Sequence, residues 1–312
     1  MRRLALSLLL AACGGGSSSP TTPPVDPVAL AADVSQEELE GTIRGLEGLM
    51  TRYTLGPGDD RAKDYLVERI EAMGLTAELD PFRVANETAN NIIVKHPGVT
   101  NPEVVWIYLA HYDSRSTNAM SATYAPGADA NATGVAGVLE AMRLMTPHTF
   151  QHSVWFVFTA AEEQGSLGSK HMTTWLMEQG LDVRGVIAPD MIGYWPQGED
   201  DQFDILGDPA SAFLVDHMAD AAARLGVPHK KWIEHSFCYG DDHTSFQEKG
   251  IPAIAPMDCV EAHNVVGSTE DTPHYHATTD TIDTLHMPFT TKVAGVIVAT
   301  LAELAVPVAP AK

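Results

Sequence analysis

The chain has 312 residues, enough at roughly 100–200 residues per domain for one large α/β domain with a substantial core. Its 19 Lys plus Arg stand against 41 Asp plus Glu, a formal net charge of −22, and this balance excludes a nucleic-acid binder or a surface drawn to anionic membranes. Most of the carboxylates are solvated surface, so those that end apolar runs carry the information.

Residues 1–12, "MRRLALSLLLAA", join two arginines to an apolar run too short to span a bilayer, the form of an export leader. Leu10-Ala11-Ala12-Cys13 resembles a bacterial lipobox, which implies cleavage before Cys13, lipidation of its thiol and anchoring to the cell envelope; a plain secretory signal is the alternative. Residues 13–33 are Gly/Ser- and then Pro-rich and read as a tether, which leaves a domain over 34–308. Export would leave Cys238 and Cys259 where a disulfide is chemically possible. There is no internal repeat.

Ser35-Gln36-Glu37-Glu38 has the form of a capping box and predicts a helix through about Tyr53. A second amphipathic helix spans "DDRAKDYLVERIEAMGL", closed by Gly74. "TAELDPFRV", "NNIIVKHPG" and "EVVWIYLAHYDS" read as strands. Helix and strand then alternate: "ATGVAGVLEAMRLM" as helix, "HSVWFVFTA" as buried strand, "LGSKHMTTWLMEQG" as helix and "VRGVIAPDMI" as strand. "FDILGD" is read as strand, "ASAFLVDHMADAAARLG" as helix, "GIPAIAPMD" as strand and "PFTTKVAGVIVATLAELA" as the last helix. The alternation predicts an α/β fold with a mostly parallel twisted sheet covered on both faces, whose ligands bind beyond the carboxyl ends of the strands.

Three of these strands end in chemistry-bearing groups: His111 and Asp113 in "LAHYDSR", Glu162 and Glu163 in "FTAAEEQ", and Asp190 in "VIAPDMIGY". Imidazole and carboxylates on one rim suit zinc, with Asp113 placed to accept the second ring proton of His111. If Glu163 binds metal, its neighbour Glu162 can face the reacting water as general base.

The ordered motifs "AHYDS", "PGADANATG", "FTAAEEQGSLGS", "PDMIGY", "DDHTSF" and "HATTDT" resemble the co-catalytic zinc aminopeptidases of peptidase family M28, whose fold is shared with glutaminyl cyclases. The resemblance covers roughly Gly56 to Leu304. It implies two zinc ions, His111 and Asp190 on one, Glu163 and His276 on the other, with Glu162 as general base; among the remaining histidines, His243 and His274 are distinguished from His276 only by the family motif. It also places Tyr239 near a tyrosine that polarises the substrate carbonyl. One position departs from the pattern: the acid that bridges both metals is Ala130 here, and Asp129 is the neighbour that could replace it. The implied activity is an exported zinc aminopeptidase acting on peptides with free N-termini. The alternatives are glutaminyl cyclisation and a catalytically impaired lipoprotein that binds peptides or a partner in the same cleft.

Overall fold

The computed structural model describes residues 23–54, 56–116, 120–195, 202–233, 241–258 and 272–309. The leader, Cys13, Cys238, Tyr239 and Cys259 lie outside the described residues.

The strand runs form one eight-stranded sheet. Its members are β1 (Glu78–Val84), β2 (Glu87–His96), β3 (Asn101–His111), β5 (His152–Thr159), β6 (Asp182–Ile187), β7 (Phe203–Gly207), β8 (His229–Ile233) and β9 (Ala253–Met257), in the spatial order β1-β2-β5-β3-β6-β9-β7-β8. The centre is parallel, β5 with β3, β3 with β6 and β6 with β9, while the β1–β2–β5 edge and the β9–β7 pair are antiparallel. Two short strands, β4 (Thr149–Phe150) and β10 (Pro307–Val308), pair separately.

Alternation along β3 shows why the sheet sits between two layers. Trp106, Tyr108 and Ala110 belong to the larger core, whereas Val105, Ile107 and Leu109 belong to a second cluster on the opposite face, as the period of two requires. The larger core takes in α2 (Gln36–Glu47), α4 (Gly134–Met145), α6 (Ala212–Leu225) and α8 (Met287–Ala305); α3 (Pro57–Ala72) joins them through Leu66 and Ile70. The second face is covered by α5 (Leu167–Gln179), through Met172 and Leu176, and by α7 (Asp242–Gln247), through Phe246. Helix α8 is long and apolar enough to cross a membrane, yet most of it is buried inside the domain, which accounts for its composition.

Several sequence expectations are corrected. The tether read to residue 33 includes a helix, α1 (Pro27–Ala32), capped by Asp26 and anchored by buried Leu30 against α8, so packing begins before residue 34. Helix α2 stops at Glu47 instead of Tyr53, because Gly48 and the left-handed Met50 (φ 69°) turn the chain inward, where Thr51 pairs with Ala125. The strand read through Ile192 ends at Ile187, and its last residues form the loop that carries Asp190. Strand β8, with two exposed lysines, and the six-residue α7 have too little apolar pattern to be foreseen.

Candidate active site

The parallel strands β3 and β5 run side by side to His111 and Thr159, so the loops that leave them open on the same rim. Past His111, Asp113 is completely buried and works as a hub. Its Oδ1 accepts the backbone N–H of Glu162 at 3.0 Å, its Oδ2 accepts that of Glu163 at 3.1 Å, and the Thr54 hydroxyl donates to Oδ2 at 3.2 Å. The same residue orients His111, whose Nδ1 lies 3.2 Å from the Asp113 carbonyl oxygen and 3.4 Å from Oδ1. One carboxylate thus fixes both the imidazole and the backbone of the Glu-Glu pair.

His111 Nε2 faces the open rim, 3.5 Å from Asp190 Oδ1 and 4.0 Å from Glu162 Oε2. Burial pushes this imidazole down, but Asp190 and Asp113, with Glu162, outweigh it and hold it well above the ordinary histidine range. The pocket therefore favours a positive charge at Nε2. Burial, partly offset by His111 and reinforced by Glu163, raises Glu162 well above the usual carboxylate range.

Glu163 and His276 form a second pair, with His276 Nε2 2.9 Å from Glu163 Oε2. Arg115, two residues beyond Asp113, joins both: its Nε lies 3.2 Å from Glu163 Oε2 and donates to His276 Nδ1 at 3.0 Å, and its Nη1 donates to the Glu163 carbonyl at 3.3 Å. Tyr275 stacks on the His276 ring at 3.7 Å. The two other histidines that the residues alone leave open have other partners, His243 bonded to Asp241 and His274 to Thr279.

The backbone is unusual at three of these positions. Ala161 (φ 58°), Met191 (φ 55°) and His276 (φ 50°) are left-handed non-glycine residues, each at or beside a site residue, at a cost of about 1–3 kcal/mol apiece. Strain of this kind persists where surrounding contacts over-determine it, as at functional sites.

Ala130, the position that resemblance assigns to a bridging acid, is buried, and its N–H donates to Asp280 Oδ2 at 3.2 Å. Asp129 does not turn in to replace the missing acid. Its N–H donates to Asp280 Oδ1 at 2.8 Å, and its own Oδ1 accepts from the Gly193 amide at 2.9 Å, which directs the side chain toward the loop after Asp190. Burial, then Asp280, pushes the Asp129 carboxyl up to about 7. Asp280, four residues after His276 in "HATTDT", is a functional residue that sequence reasoning misses; it holds the turn before α4 through these two amides.

Among the described residues no three His, Cys, Asp or Glu side chains form a complete metal cluster. The donor atoms nonetheless fit a divalent cation in part. His111 Nε2, Asp190 Oδ1 and Glu163 Oε1 are buried without a hydrogen-bond partner, and unpaired buried polar atoms are costly unless something binds them. The His111–Asp190 pair has the right donors and the right second contact through Asp113.

The model of peptidase family M28 matches residues 91–301. A probable zinc metalloprotease of Pyrenophora teres is 29% identical over 337 residues, covering 91% of this chain and 69% of that protein. A probable leucine aminopeptidase 1 of Trichophyton verrucosum is 27% identical over 299 residues, covering 89% and 76%. Among solved structures, the LapA aminopeptidase of Legionella pneumophila superposes with a TM-score of 0.73 at 20% identity, over 93% of this chain and 78% of that one, a likeness of fold.

Proposed function

The chain belongs to peptidase family M28, and from that premise we propose that it is a zinc-dependent aminopeptidase that removes residues from peptide N-termini. The observation that carries the reading is the unpartnered, buried His111 Nε2, facing Asp190 and Glu162 while its Nδ1 is committed to Asp113. Zinc metalloprotease and aminopeptidase relatives support it.

His111 and Asp190 would hold the ion, with Glu163 and His276 beside them. Zinc, when bound there, supplies Lewis acidity toward the scissile carbonyl and toward water. The chain's own residues do the rest. Glu162 takes a proton from the attacking water at Oε2 and returns it to the departing amine. The Ser166 hydroxyl donates to the other oxygen, Oε1, at 3.2 Å and leaves Oε2 turned toward His111. The carboxylates of Asp190 and Glu163 attract the free ammonium of a peptide. The leader and lipobox readings would place this activity at the cell envelope.

The test is hydrolysis of aminoacyl p-nitroanilides by the purified full chain with zinc, against the same compounds N-acetylated. Release from the free amines that a chelator stops, with none from the acetylated compounds, is the expected result. No chelator-sensitive release from any of a panel of free aminoacyl substrates would refute the reading and favour a binding role.

A further inference from the structure

Glu162 and Glu163 lie in the connection from β5 to α5, residues 160–168, whose backbone is costly to hold. Ala161 (φ 58°) and Ser166 (φ 55°) are left-handed although each carries a Cβ, and Gly165 (φ 102°) has positive φ as well. Such a path persists only where surrounding contacts over-determine it. Asp113 supplies part of the restraint by accepting the amides of Glu162 and Glu163, which grips the middle of the connection.

Its two ends are held by Asn91, a fully buried residue of β2. Asn91 Oδ1 accepts the Ala160 N–H at 3.2 Å, and Asn91 Nδ2 donates to the Gly168 carbonyl at 3.0 Å. A backbone bond from the Gly168 N–H to the Ala160 carbonyl, at 3.1 Å, closes the same gap. The fit is tight: a Cβ at Gly168 would lie 2.3 Å from the Ala160 oxygen and 2.5 Å from Asn91 Oδ1. Nδ2 also donates to Asp80 Oδ2 at 3.1 Å, and Asp80 Oδ1 lies 3.0 Å from His171 Nε2. These partners fix which way the amide faces, because a flipped side chain would set Nδ2 against an N–H and Oδ1 against a carbonyl and a carboxylate.

The closure reaches Glu162 through Ser166, two residues before Gly168. The Ser166 N–H donates to the Glu162 carbonyl at 2.7 Å and its hydroxyl donates to Glu162 Oε1 at 3.2 Å, while the Leu167 N–H donates to the Ala161 carbonyl at 3.0 Å. Were the ends to part, Ser166 would shift and Oε1 would lose its donor.

We propose that Asn91 is a positioning residue for the general base: by pinning Ala160 to Gly168 it sets the path that brings the Ser166 hydroxyl onto Glu162 Oε1 and leaves Oε2 turned toward His111. This rests on the zinc-aminopeptidase reading, in which Glu162 is that base. A base displaced by about 1 Å can cost roughly 100-fold in rate, whereas substrate binding does not need Oε2 in place.

The experiment measures kcat, KM and zinc content for the full native chain, Asn91→Ala, Ser166→Ala, Glu162→Gln, and each of the first two changes combined with Glu162→Gln. The substrate is an aminoacyl p-nitroanilide, and kcat is referred to the zinc-loaded folded fraction. Asn91→Ala should lower kcat roughly 10- to 100-fold with KM and zinc within about twofold of native, the pattern of an interaction used only in the transition state. In the Glu162→Gln background the same change should cost less than about twofold, since the group being aimed is gone. A merely structural asparagine would reduce the folded fraction and act alike in both backgrounds, and equal losses in the two would overturn the proposal. Ser166→Ala keeps the proposal testable if Asn91→Ala does not fold. It should lower kcat in the native background and not in Glu162→Gln, and an unchanged kcat would refute the route through Oε1. Either refutation leaves the zinc-aminopeptidase reading standing, whereas no chelator-sensitive turnover by the native chain would overturn both.

Discussion

Asp59 offers a test of the electrostatics behind the site. It is buried in the first turn of α3, beside Tyr112 and within reach of Asp113, and burial, then Asp113 and Asp60, pushes its carboxyl from 3.8 up to about 7. A carboxyl whose folded pKa is raised binds its proton more tightly in the folded state, so its contribution is harmless below the unfolded pKa and becomes destabilising as pH rises toward 7. A shift of this size corresponds to about 4 kcal/mol at pH 8, at about 1.4 kcal/mol per unit. Two effects reduce it. The first-turn position favours a negative charge by about 1 kcal/mol, and the hollow of about 290 Å³ that Asp59 lines with Thr54 and Glu87 admits water. Asp59→Asn, which removes the charge and keeps the shape, should therefore stabilise the domain by about 3 kcal/mol at pH 8. That is a rise in Tm of roughly 6 °C or more for a domain of this size. The gain should shrink steadily as pH falls below 7 and vanish only below the unfolded value of 3.8, where both states of the native residue hold the proton. Thermal melts of both proteins across this range decide the matter. A difference independent of pH, or a loss of stability at pH 8, would show that Asp59 is ionised and compensated by other contacts.

Glu162→Gln should lower kcat by roughly 10²–10⁴-fold, the range for losing a general base, while zinc content stays at the native value; kinetics beside metal analysis separates this from loss of the ion. Asp113→Asn presents one acceptor oxygen where two amides and a hydroxyl now donate, so zinc affinity should fall roughly 10–100-fold, measured by competition with a chromogenic chelator. The fully buried Arg52 donates to the carbonyls of Tyr112, Pro126 and Gly127, and burial lowers its pKa only to about 10, so it stays charged. Arg52→Met leaves the buried Tyr112 and Pro126 carbonyls without this donor, while the Gly127 oxygen keeps the Ala132 N–H at 3.1 Å, and should cost about 2 kcal/mol or more in denaturant unfolding.

The parts of the site legible in the sequence are those that a periodic element delivers. The apolar runs of β3 and β5 announce themselves by composition, and a polar group directly after such a run must emerge at the sheet's rim, so His111 and the Glu162–Glu163 pair can be read without a structure. Asp190 is legible for the same reason, although its strand is shorter than expected. His276 comes from a loop with no period, and only the family motif separates it from His243 and His274. The direction of Asp129 depends on the backbone angles of Ala130 (φ −97°, ψ 89°) and on Asp280, some 150 residues away in the chain, neither of which a local pattern records. Arg115 gives no signal, because a single arginine in a polar loop is ordinarily solvated, and nothing in "HYDSR" shows that its guanidinium turns back onto His276.

Ala130 and Arg115 acquire meaning together. Taken alone, Ala130 is a lost ligand and suggests a decayed site, whereas Arg115 alone is a surface cation. In the structure both bear on the Glu163–His276 pair, one by leaving out a negative charge and the other by supplying a positive one, with Arg115 Nε 3.2 Å from Glu163 Oε2 and donating to His276 Nδ1. The His111–Asp190 pair, by contrast, keeps its unpartnered nitrogen, its orienting carboxylate and Glu162 at 4.0 Å. A site decaying without constraint would have no reason to preserve the His111 half in the orientation that metal binding requires.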